Sequence, residues 1–173
     1  NDLSSEMLLP VLPIYLSSIG FSALYIGILE GFAEAVVGLS KGYFGQFSDV
    51  KGDRVSFVRY GYSLSAVSKP MMALFTFPIW IFLSRFFDRL GKGIRTNARD
   101  AMLADESAHR DRGKVFGFHR SMDTVGAALG PAFVLLYLYL NPGKYTEVFL
   151  IAFIPSLIAV IFTFFLRQKE IPR

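Results

Sequence analysis

Seven charged residues fall within the twenty-residue stretch SRFFDRLGKGIRTNARDAML, residues 84–103, of an otherwise apolar chain. Most of them step by three or four positions, which places them on one face of a helix. Such a face can bind an anion through its cations, and a carboxylate beside them can take up a proton or neutralise them. The charged residues are Arg85, Asp88, Arg89, Lys92, Arg95, Arg99 and Asp100.

The composition predicts that this face lies inside a membrane protein. The chain has 173 residues, of which 53% are apolar and only 18% are charged, whereas a soluble domain has about a quarter charged residues. A charge at the bilayer centre costs roughly 2.5–3.5 kcal/mol, so the charged face must meet protein or a watery cavity rather than lipid. The absence of cysteine in the chain excludes disulfide and thiolate chemistry.

Six segments are long enough to cross a bilayer, which takes about 20 residues. They predict an all-α polytopic membrane protein, with residues 1–173 as a single six-helix bundle. The start of the chain has no signal-peptide pattern, and we interpret it as a first helix without its leading turn. The third and sixth segments are the most apolar and are expected on the lipid side. The predicted helices cover residues 1–20, 22–46, 56–77, 79–103, 113–140 and 146–166.

The connecting segments predict the orientation. Residues 45–59, 105–114 and 167–173 together hold nine lysines or arginines, whereas Lys144 is alone in the loops on the other side. The positive-inside rule therefore places both ends of this segment in the cytoplasm.

Three acids on the first two segments are candidates for proton coupling. Glu30 and Glu34 share one stripe of the second segment, and Glu6 lies in the first. A carboxylic acid taken out of water favours its neutral form, so its protonation could accompany a conformational change. The alternative is a permanently protonated or salt-bridged acid.

The fifth segment offers further partners for the charged face. If it runs antiparallel to the fourth segment, residues at the same depth in the membrane can meet, which pairs Arg95 with Asp123 and Arg99 with His119. An ion pair is the favoured role for Asp123, and hydrogen-bonded packing is favoured over proton relay for His119.

Three motifs carry a family resemblance. The loop GQFSDVKGDR resembles the loop between the second and third helices of the major facilitator superfamily at Gly45, Asp49, Gly52 and Arg54, with Asp53 where a basic residue is usual. RFFDRLGKGIR resembles the superfamily's fourth-helix motif. GAALGP, with Gly126, Gly130 and Pro131, is similar to the fifth-helix motif of its antiporters, although the glycines that usually follow are replaced at positions 133 and 134. The motifs together look like a bacterial branch whose substrates are mostly unassigned.

The resemblance implies the N-terminal half of a twelve-helix secondary transporter, with residues 1–78 and 79–166 as two inverted three-helix repeats. It implies alternating access by which a small solute crosses the bacterial cytoplasmic (inner) membrane, with Asp49 in a charge network that locks one state. Proton coupling is favoured, and efflux by antiport stays open. The expected partners are lipid, protons, an anionic or zwitterionic solute, and a second six-helix half in the same chain or in another copy.

The alternative is a non-transporting membrane scaffold whose charges only stabilise packing. The sequence has no phosphate-binding loop, metal-ligand spacing or serine-nucleophile motif, so we expect neither an enzyme nor a cofactor or metal, and the intramembrane charges do not form a nucleic-acid surface. The substrate and proton-coupling candidates are Glu6, Glu30, Glu34, Arg85, Asp88 and Arg89. A gating or structural charge network is expected from Asp49, Arg54, Lys92, Arg95, Arg99, Asp100, His119, Arg120 and Asp123, and helix packing from Gly45, Gly126, Gly130 and Pro131.

Overall fold

The computed structural model describes residues 2–107 and 111–166, and every regular element in these ranges is an α-helix. Of the segments that carry the predicted orientation, residues 108–110 of one and the whole of another, residues 167–173, lie outside the described residues. The helices are α1 (Asp2–Leu8), α2 (Val11–Ser18), α3 (Ala23–Lys51), α4 (Arg54–Leu74), α5 (Pro78–Glu106), α6 (Arg112–Leu140) and α7 (Tyr145–Thr163). Of these, α3, α6 and α7 are long and apolar enough by composition to cross a membrane, so three of the six predicted spans are supported on this ground and six spans stay a prediction.

The first predicted segment is not one helix. α1 ends at Leu8 and α2 begins at Val11, with the break at Leu9 and Pro10. Proline has no N–H to continue a helical hydrogen-bond ladder, and its ring crowds the preceding turn. The expectation of a continuous helix over residues 1–20 was therefore wrong, whereas α3 to α7 follow the other five predicted segments closely.

Two glycines let α5 lie against two neighbouring helices at once. A Cβ on Gly91 would lie 2.6 Å from the carbonyl oxygen of Gly61 on α4, and a Cβ on Gly93 would lie 3.3 Å from the carbonyl oxygen of Val37 on α3. Residues two apart on a helix point to nearly opposite sides. The sequence GKG therefore packs α4 on one side of α5 and α3 on the other.

A second group of helices assembles around α1. α6 packs along it where a Cβ on Gly130 would lie 2.9 Å from Met7 Cγ and 3.1 Å from the carbonyl oxygen of Leu3. Ser4 Oγ donates a hydrogen bond of 2.5 Å to the carbonyl oxygen of Ala152 on α7. α7 also packs against α4, which joins this group to the α3–α4–α5 group.

The position of α4 corrects one expectation. The third segment was predicted to be an apolar helix on the lipid side, yet α4 packs closely on α5 and buries Ser65, Ser68 and Lys69. A buried ammonium needs a counter-charge, and α5 supplies one. α4 is therefore part of the charged interior.

The turn between α3 and α4 is tight. Gly52 ends α3 in the left-handed region, with φ of 70°, which a residue with a Cβ adopts only at a cost. Asp53 then caps α4 by accepting a hydrogen bond of 3.2 Å from the backbone N–H of Ser56. The residue that departs from the family motif is thus the helix cap.

Candidate functional site

A lysine–aspartate ion pair lies at the centre of the α4–α5 contact. Lys69 Nζ pairs with Asp88 Oδ1, and their side chains are 0% and 1% exposed. Ser65 Oγ donates to the same carboxylate oxygen at 2.6 Å, and Lys69 Nζ lies 3.3 Å from Ser5 Oγ on α1. This pair therefore connects α4, α5 and α1 at one point.

Arg85 links the buried pair to α3. Its Nε and Nη2 donate to the two carboxylate oxygens of Glu30 at 2.9 and 2.6 Å, a bidentate arrangement. Its Nη1 lies 3.5 Å from Asp88 Oδ2. One guanidinium thus joins two carboxylates that belong to different helices.

Arg89 continues the network toward the surface of the bundle. It lies 3.9 Å from a carboxylate oxygen of Glu30 and 3.4 Å from one of Glu34. The exposed fraction of the carboxylate side chains rises from 1% at Asp88 to 27% at Glu30 and 63% at Glu34. The network therefore runs from a carboxylate sealed inside the bundle to two carboxylates that lie at the surface of the bundle.

Arg95 does not face the fifth segment as predicted. It is fully buried, and its guanidinium carbon lies 4.9 Å from the ring centre of Tyr62 on α4. On α6, His119 Nδ1 lies instead 3.3 Å from Asp123 Oδ2, one turn along the same helix. The predicted pairs Arg95–Asp123 and Arg99–His119 are wrong because α6 packs mainly along α1 rather than along α5.

A polar cavity of about 320 Å³ opens between α1, α3, α5 and α6. Glu6 on α1 faces Lys92 on α5 across it, with 4.0 Å between Oε1 and Nζ. These four helices are the ones on which the sequence placed the shared charges. The cavity is lined by Glu6, Lys41, Lys92, Thr96, Arg99, Arg120, Asp123, Thr124 and Ala127.

A second ion cluster lies where α3, α4 and α5 end or begin. Arg54 Nη2 lies 3.0 Å from Asp49 Oδ1, and Arg54 Nη1 pairs with Asp105 on α5. One arginine at the start of α4 therefore holds the ends of α3 and α5 together. Asp105 was absent from the predicted set.

The remaining predicted residues have local contacts. Arg99 Nε lies 3.2 Å from the carboxylate of its neighbour Asp100. Gly45 is buried where α3 meets Asn97 of α5, whose side-chain amide donates to the carbonyl oxygen of Lys41 at 2.7 Å. Gly126 lies in ordinary contact with α1, and Pro131 lies inside α6.

Sequence reasoning missed Lys69 and Asp105 as ion-pair partners and Lys41 as a residue that lines the cavity. A signal for Lys69 was present, because it is a lone cation in the middle of an apolar segment and must find a counter-charge there. Lys41 carried no such signal, since a cation near the end of a long helix can reach water. Asp105 lies in a stretch with charges of both signs, where its partner cannot be read from spacing.

Comparison with known proteins places the chain among membrane carriers. The model of the Major Facilitator Superfamily matches residues 1–173. An uncharacterised MFS-type transporter of Methanocaldococcus jannaschii is 34% identical over 172 residues, which cover 99% of this chain and 43% of that protein. Uncharacterised proteins of Mycobacterium bovis and Mycobacterium tuberculosis are each 26% identical over 159 residues, which cover 91% of this chain and 38% of theirs. The chain therefore spans less than half the length of these relatives.

Proposed function

The chain belongs to the Major Facilitator Superfamily, and from this premise we propose that it forms one six-helix bundle of a proton-coupled secondary transporter for a small solute. Members of this family are transporters embedded in membranes, which supports a multi-pass membrane protein and a non-enzymatic role. The observation that carries the proposal is the graded network Asp88–Arg85–Glu30–Arg89–Glu34, because it connects a sealed interior to acids at the surface of the bundle.

Two inverted repeats of three spans each are part of the proposal, with α1 and α2 together as the first span. The packing supports it. α1 packs on α6 and α5 on α3, while α4 packs on α5 and α7 on α1. In terms of spans, these contacts join the first to the fifth, the fourth to the second, the third to the fourth and the sixth to the first. If the first span is exchanged with the fourth, the second with the fifth and the third with the sixth, the first of these contacts becomes the second and the third becomes the fourth. Such internal symmetry is the basis of alternating access in many transporters.

The cavity supports a solute pathway. It lies between helices of both proposed repeats, and it is polar in a chain whose outer surface is largely apolar. A second six-helix bundle, from the same polypeptide or from another copy, would form the opposite wall. We propose that the two bundles rock about this site, in a bacterial cytoplasmic membrane with the ends of this segment on the cytoplasmic side.

Glu30 is the proposed proton-coupling residue. Its carboxylate accepts both hydrogen bonds from Arg85, so protonation would remove one acceptor and weaken the bond between α3 and α5. A proton taken up there would change helix packing as well as charge. Glu34 and Glu6 are proposed as secondary proton sites; the side chain of Glu34 is 63% exposed, and that of Glu6, at 24%, is about as exposed as that of Glu30.

The Asp49–Arg54–Asp105 cluster is the proposed gate. It joins the ends of three helices through one side chain, so a conformational change that separates α3 from α5 must break it. Its carboxylates are about half exposed, which keeps the strength of the cluster modest and allows it to reform.

The test uses the natural full-length protein in lipid vesicles with a pH-sensitive dye inside. A panel of candidate solutes is added under an imposed proton gradient, and proton and solute movements are followed together. We expect that the movement of one class of solute across the vesicle membrane is accompanied by proton movement. The Glu30→Gln variant should retain solute exchange down its own gradient but lose the coupled proton flux, because a permanently neutral side chain cannot exchange a proton.

Glu147→Gln is the matched control, since Glu147 is an exposed acid at the start of α7, outside the network. It should transport like the unmodified protein. Proton flux that survives Glu30→Gln would reject the coupling role. A folded protein that moves no solute in the panel, with or without a gradient, would favour the scaffold alternative.

A further inference from the structure

We propose that Lys69 and Asp88 are positioning residues for Arg85, and that this pair decides whether the Arg85 guanidinium bonds Glu30 on α3 or Asp88 on its own helix. The inference rests on the proposed role of Glu30 as the proton-coupling residue and adds the groups that set when Glu30 takes up its proton. The exchange of partners can be measured in protein that moves no solute.

Arg85 cannot replace a lost partner with solvent. Its side chain is 1% exposed, and the carboxylate of Glu30 accepts two of its hydrogen bonds, at 2.9 and 2.6 Å. If Glu30 takes up a proton, the guanidinium needs another anion, because an uncompensated charge in a buried place is strongly destabilising. Among the described residues, the other acid beside it is Asp88, with 3.5 Å between Nη1 and Oδ2.

Asp88 has one carboxylate oxygen that can accept more from Arg85. Ser65 Oγ donates to Oδ1 at 2.6 Å, and the Lys69 ammonium pairs with the same oxygen. Within the described part of the chain, the hydrogen bond to Oδ2 is the one of 3.5 Å from Arg85. Charge-assisted hydrogen bonds are usually about 2.7–2.9 Å long, so this contact can shorten while both bonds to Oδ1 remain.

The exchange changes which helices are joined. Arg85 and Asp88 are three residues apart on α5, so the movement involves a side chain and not a helix. The bond between Arg85 and Glu30, in contrast, joins α5 to α3. Proton uptake by Glu30 therefore replaces a bond between two helices with one inside a helix, which frees α3 to move relative to α5.

Lys69 limits how strongly Asp88 attracts Arg85. Its ammonium neutralises part of the Asp88 charge, which leaves the guanidinium to Glu30. Without Lys69, Asp88 would have Arg85 as its single ion-pair partner among the described residues and would draw it away from Glu30. Without Asp88, Arg85 would keep Glu30 as its carboxylate partner. Removing Lys69 and removing Asp88 should therefore have opposite effects on Glu30.

The other charges around Glu30 do not provide this route. Arg89 on α5 lies 3.9 Å from the Glu30 carboxylate and stays unchanged in the variants below. α2, which packs on α3, carries no Asp, Glu, Lys, Arg or His. The two further cations of α4, Arg54 and Arg59, contact the far end of α3 and the end of α7. The charge of α4 therefore reaches Glu30 through Lys69 and its partner.

The experiment follows protonation of Glu30 in the natural full-length protein, in nanodiscs of neutral phosphatidylcholine with no solute present. The infrared band of a neutral carboxyl group that is missing in Glu30→Gln identifies the residue, and its intensity is titrated from about pH 3 to pH 9. We expect Lys69→Met to raise the midpoint by about one pH unit and Asp88→Asn to lower it by a similar amount, as for one hydrogen bond to a charged group. Shifts in the same direction, or no shifts, would overturn the proposal.

Two controls separate partner exchange from a general effect of charge. In an Arg85→Gln background, Lys69→Met should change the proton affinity of Glu30 less than about twofold, because no guanidinium is left to exchange. An equal shift with and without Arg85 would show that Lys69 acts through its field alone and would reject the exchange. Arg59→Gln removes another cation of α4, about 15 Å along the helix from Lys69, and should also change the affinity less than about twofold.

Ser65→Ala gives the same test if Lys69→Met does not fold. It removes the 2.6 Å hydrogen bond to Oδ1 of Asp88 and no charge, so Asp88 should attract Arg85 more strongly. The midpoint should rise, by less than in Lys69→Met. A midpoint that stays the same or falls in Ser65→Ala would overturn the proposal.

The outcomes separate this inference from the transport proposal. Opposite shifts in protein that shows no coupled flux in vesicles keep the exchange and reject transport. Coupled flux that is lost in Glu30→Gln, without opposite shifts, keeps the transport proposal and rejects the exchange. A spectrum without a Glu30-dependent band at any pH also rejects the exchange, since Glu30 then takes up no proton.

Discussion

Lys69 and Asp88 neutralise each other across the α4–α5 contact in a place that solvent does not reach, with side chains 0% and 1% exposed. The pair lies between two helices that were expected to have different environments, one facing lipid and one facing the cavity. It therefore sets the position of α4 within the bundle. Removing one partner of a buried pair is more damaging than removing both, because the remaining charge is left in a medium that solvates it poorly.

The first prediction concerns this pair. Lys69→Met should lower the free energy of unfolding by about 3 kcal/mol, since among the described residues Asp88 then keeps only the 3.5 Å contact with Arg85 as an ion pair. The Lys69→Met/Asp88→Asn double variant should lose less than the sum of the two single variants. Denaturant or thermal unfolding in detergent measures this, and additive losses would show that the pair contributes no coupling energy.

The second prediction concerns the crossing of α4 and α5. Gly91→Ala places a Cβ 2.6 Å from the carbonyl oxygen of Gly61, a backbone atom that cannot rotate away. The helices must separate, and stability should fall by about 1–3 kcal/mol. Gly117→Ala on α6 is the control, because nothing lies within 4 Å of the added carbon and alanine favours the helix. Equal thermal stability of the two variants would contradict the close approach.

The third prediction concerns pH and the cap of α4. Hydrogen bonding by Ser56, chiefly, and the charges of Lys51 and Arg59 lower the pKa of Asp53 below its ordinary value. Because the pKa of Asp53 is lower in the folded protein than in the unfolded chain, its ionised form stabilises the fold. This stabilisation is complete above the unfolded-state pKa of about 4 and is lost as the pH falls through the lowered folded-state pKa. Asp53→Asn keeps a hydrogen-bond acceptor but has no charge, so it should remove this pH dependence. Asp53→Ala removes the acceptor as well, so its free energy of unfolding should also fall by about 1 kcal/mol at neutral pH.

Thermal unfolding of these Asp53 variants between pH 3 and pH 7 is the measurement. If Asp53→Asn destabilises with falling pH as steeply as the unmodified protein, the carboxylate is not the group responsible.

The fourth prediction concerns the end of α7. Arg59 on α4 donates to the carbonyl oxygen of Thr163, the last residue of α7, at 3.0 Å and to that of Leu166, three residues beyond it, at 3.1 Å. The Thr163 carbonyl oxygen also accepts from the backbone N–H of Leu166 at 3.2 Å, so the arginine is a second donor there. Arg59→Gln should free this end. Because residues 1–173 contain no cysteine, a Leu166→Cys reporter is the single thiol among them. Its labelling rate should rise about fivefold or more in the Arg59→Gln background, as expected for loss of about 1 kcal/mol.

Lys51→Gln is the control for this labelling experiment, since it removes a cation at the end of α3 that does not contact α7. A labelling rate that is unchanged by Arg59→Gln would show that the terminal carbonyls do not depend on the arginine.

The sequence by itself determined the helices and the inward direction of most of the charges. Apolar segments of about 20 residues can only be helices in a bilayer, so α3 to α7 could be predicted closely. The spacing of Arg85, Asp88 and Arg89 placed them on one face, and the cost of charge in lipid required that face to be buried, as it is. These inferences follow from local periodicity and from the solvent, neither of which needs knowledge of the neighbouring helices.

Only the tertiary structure decided which charges meet. Arg85 bonds Glu30 across 55 positions of sequence, and Asp88 takes Lys69 rather than a residue of the fifth segment. The predicted pair Arg95–Asp123 failed because matching depth in the membrane does not specify which helices are adjacent. Adjacency depends on where backbones can approach closely, at Gly61, Gly91 and Gly130 among the described residues, and those contacts depend on shape over the whole bundle rather than on any one segment.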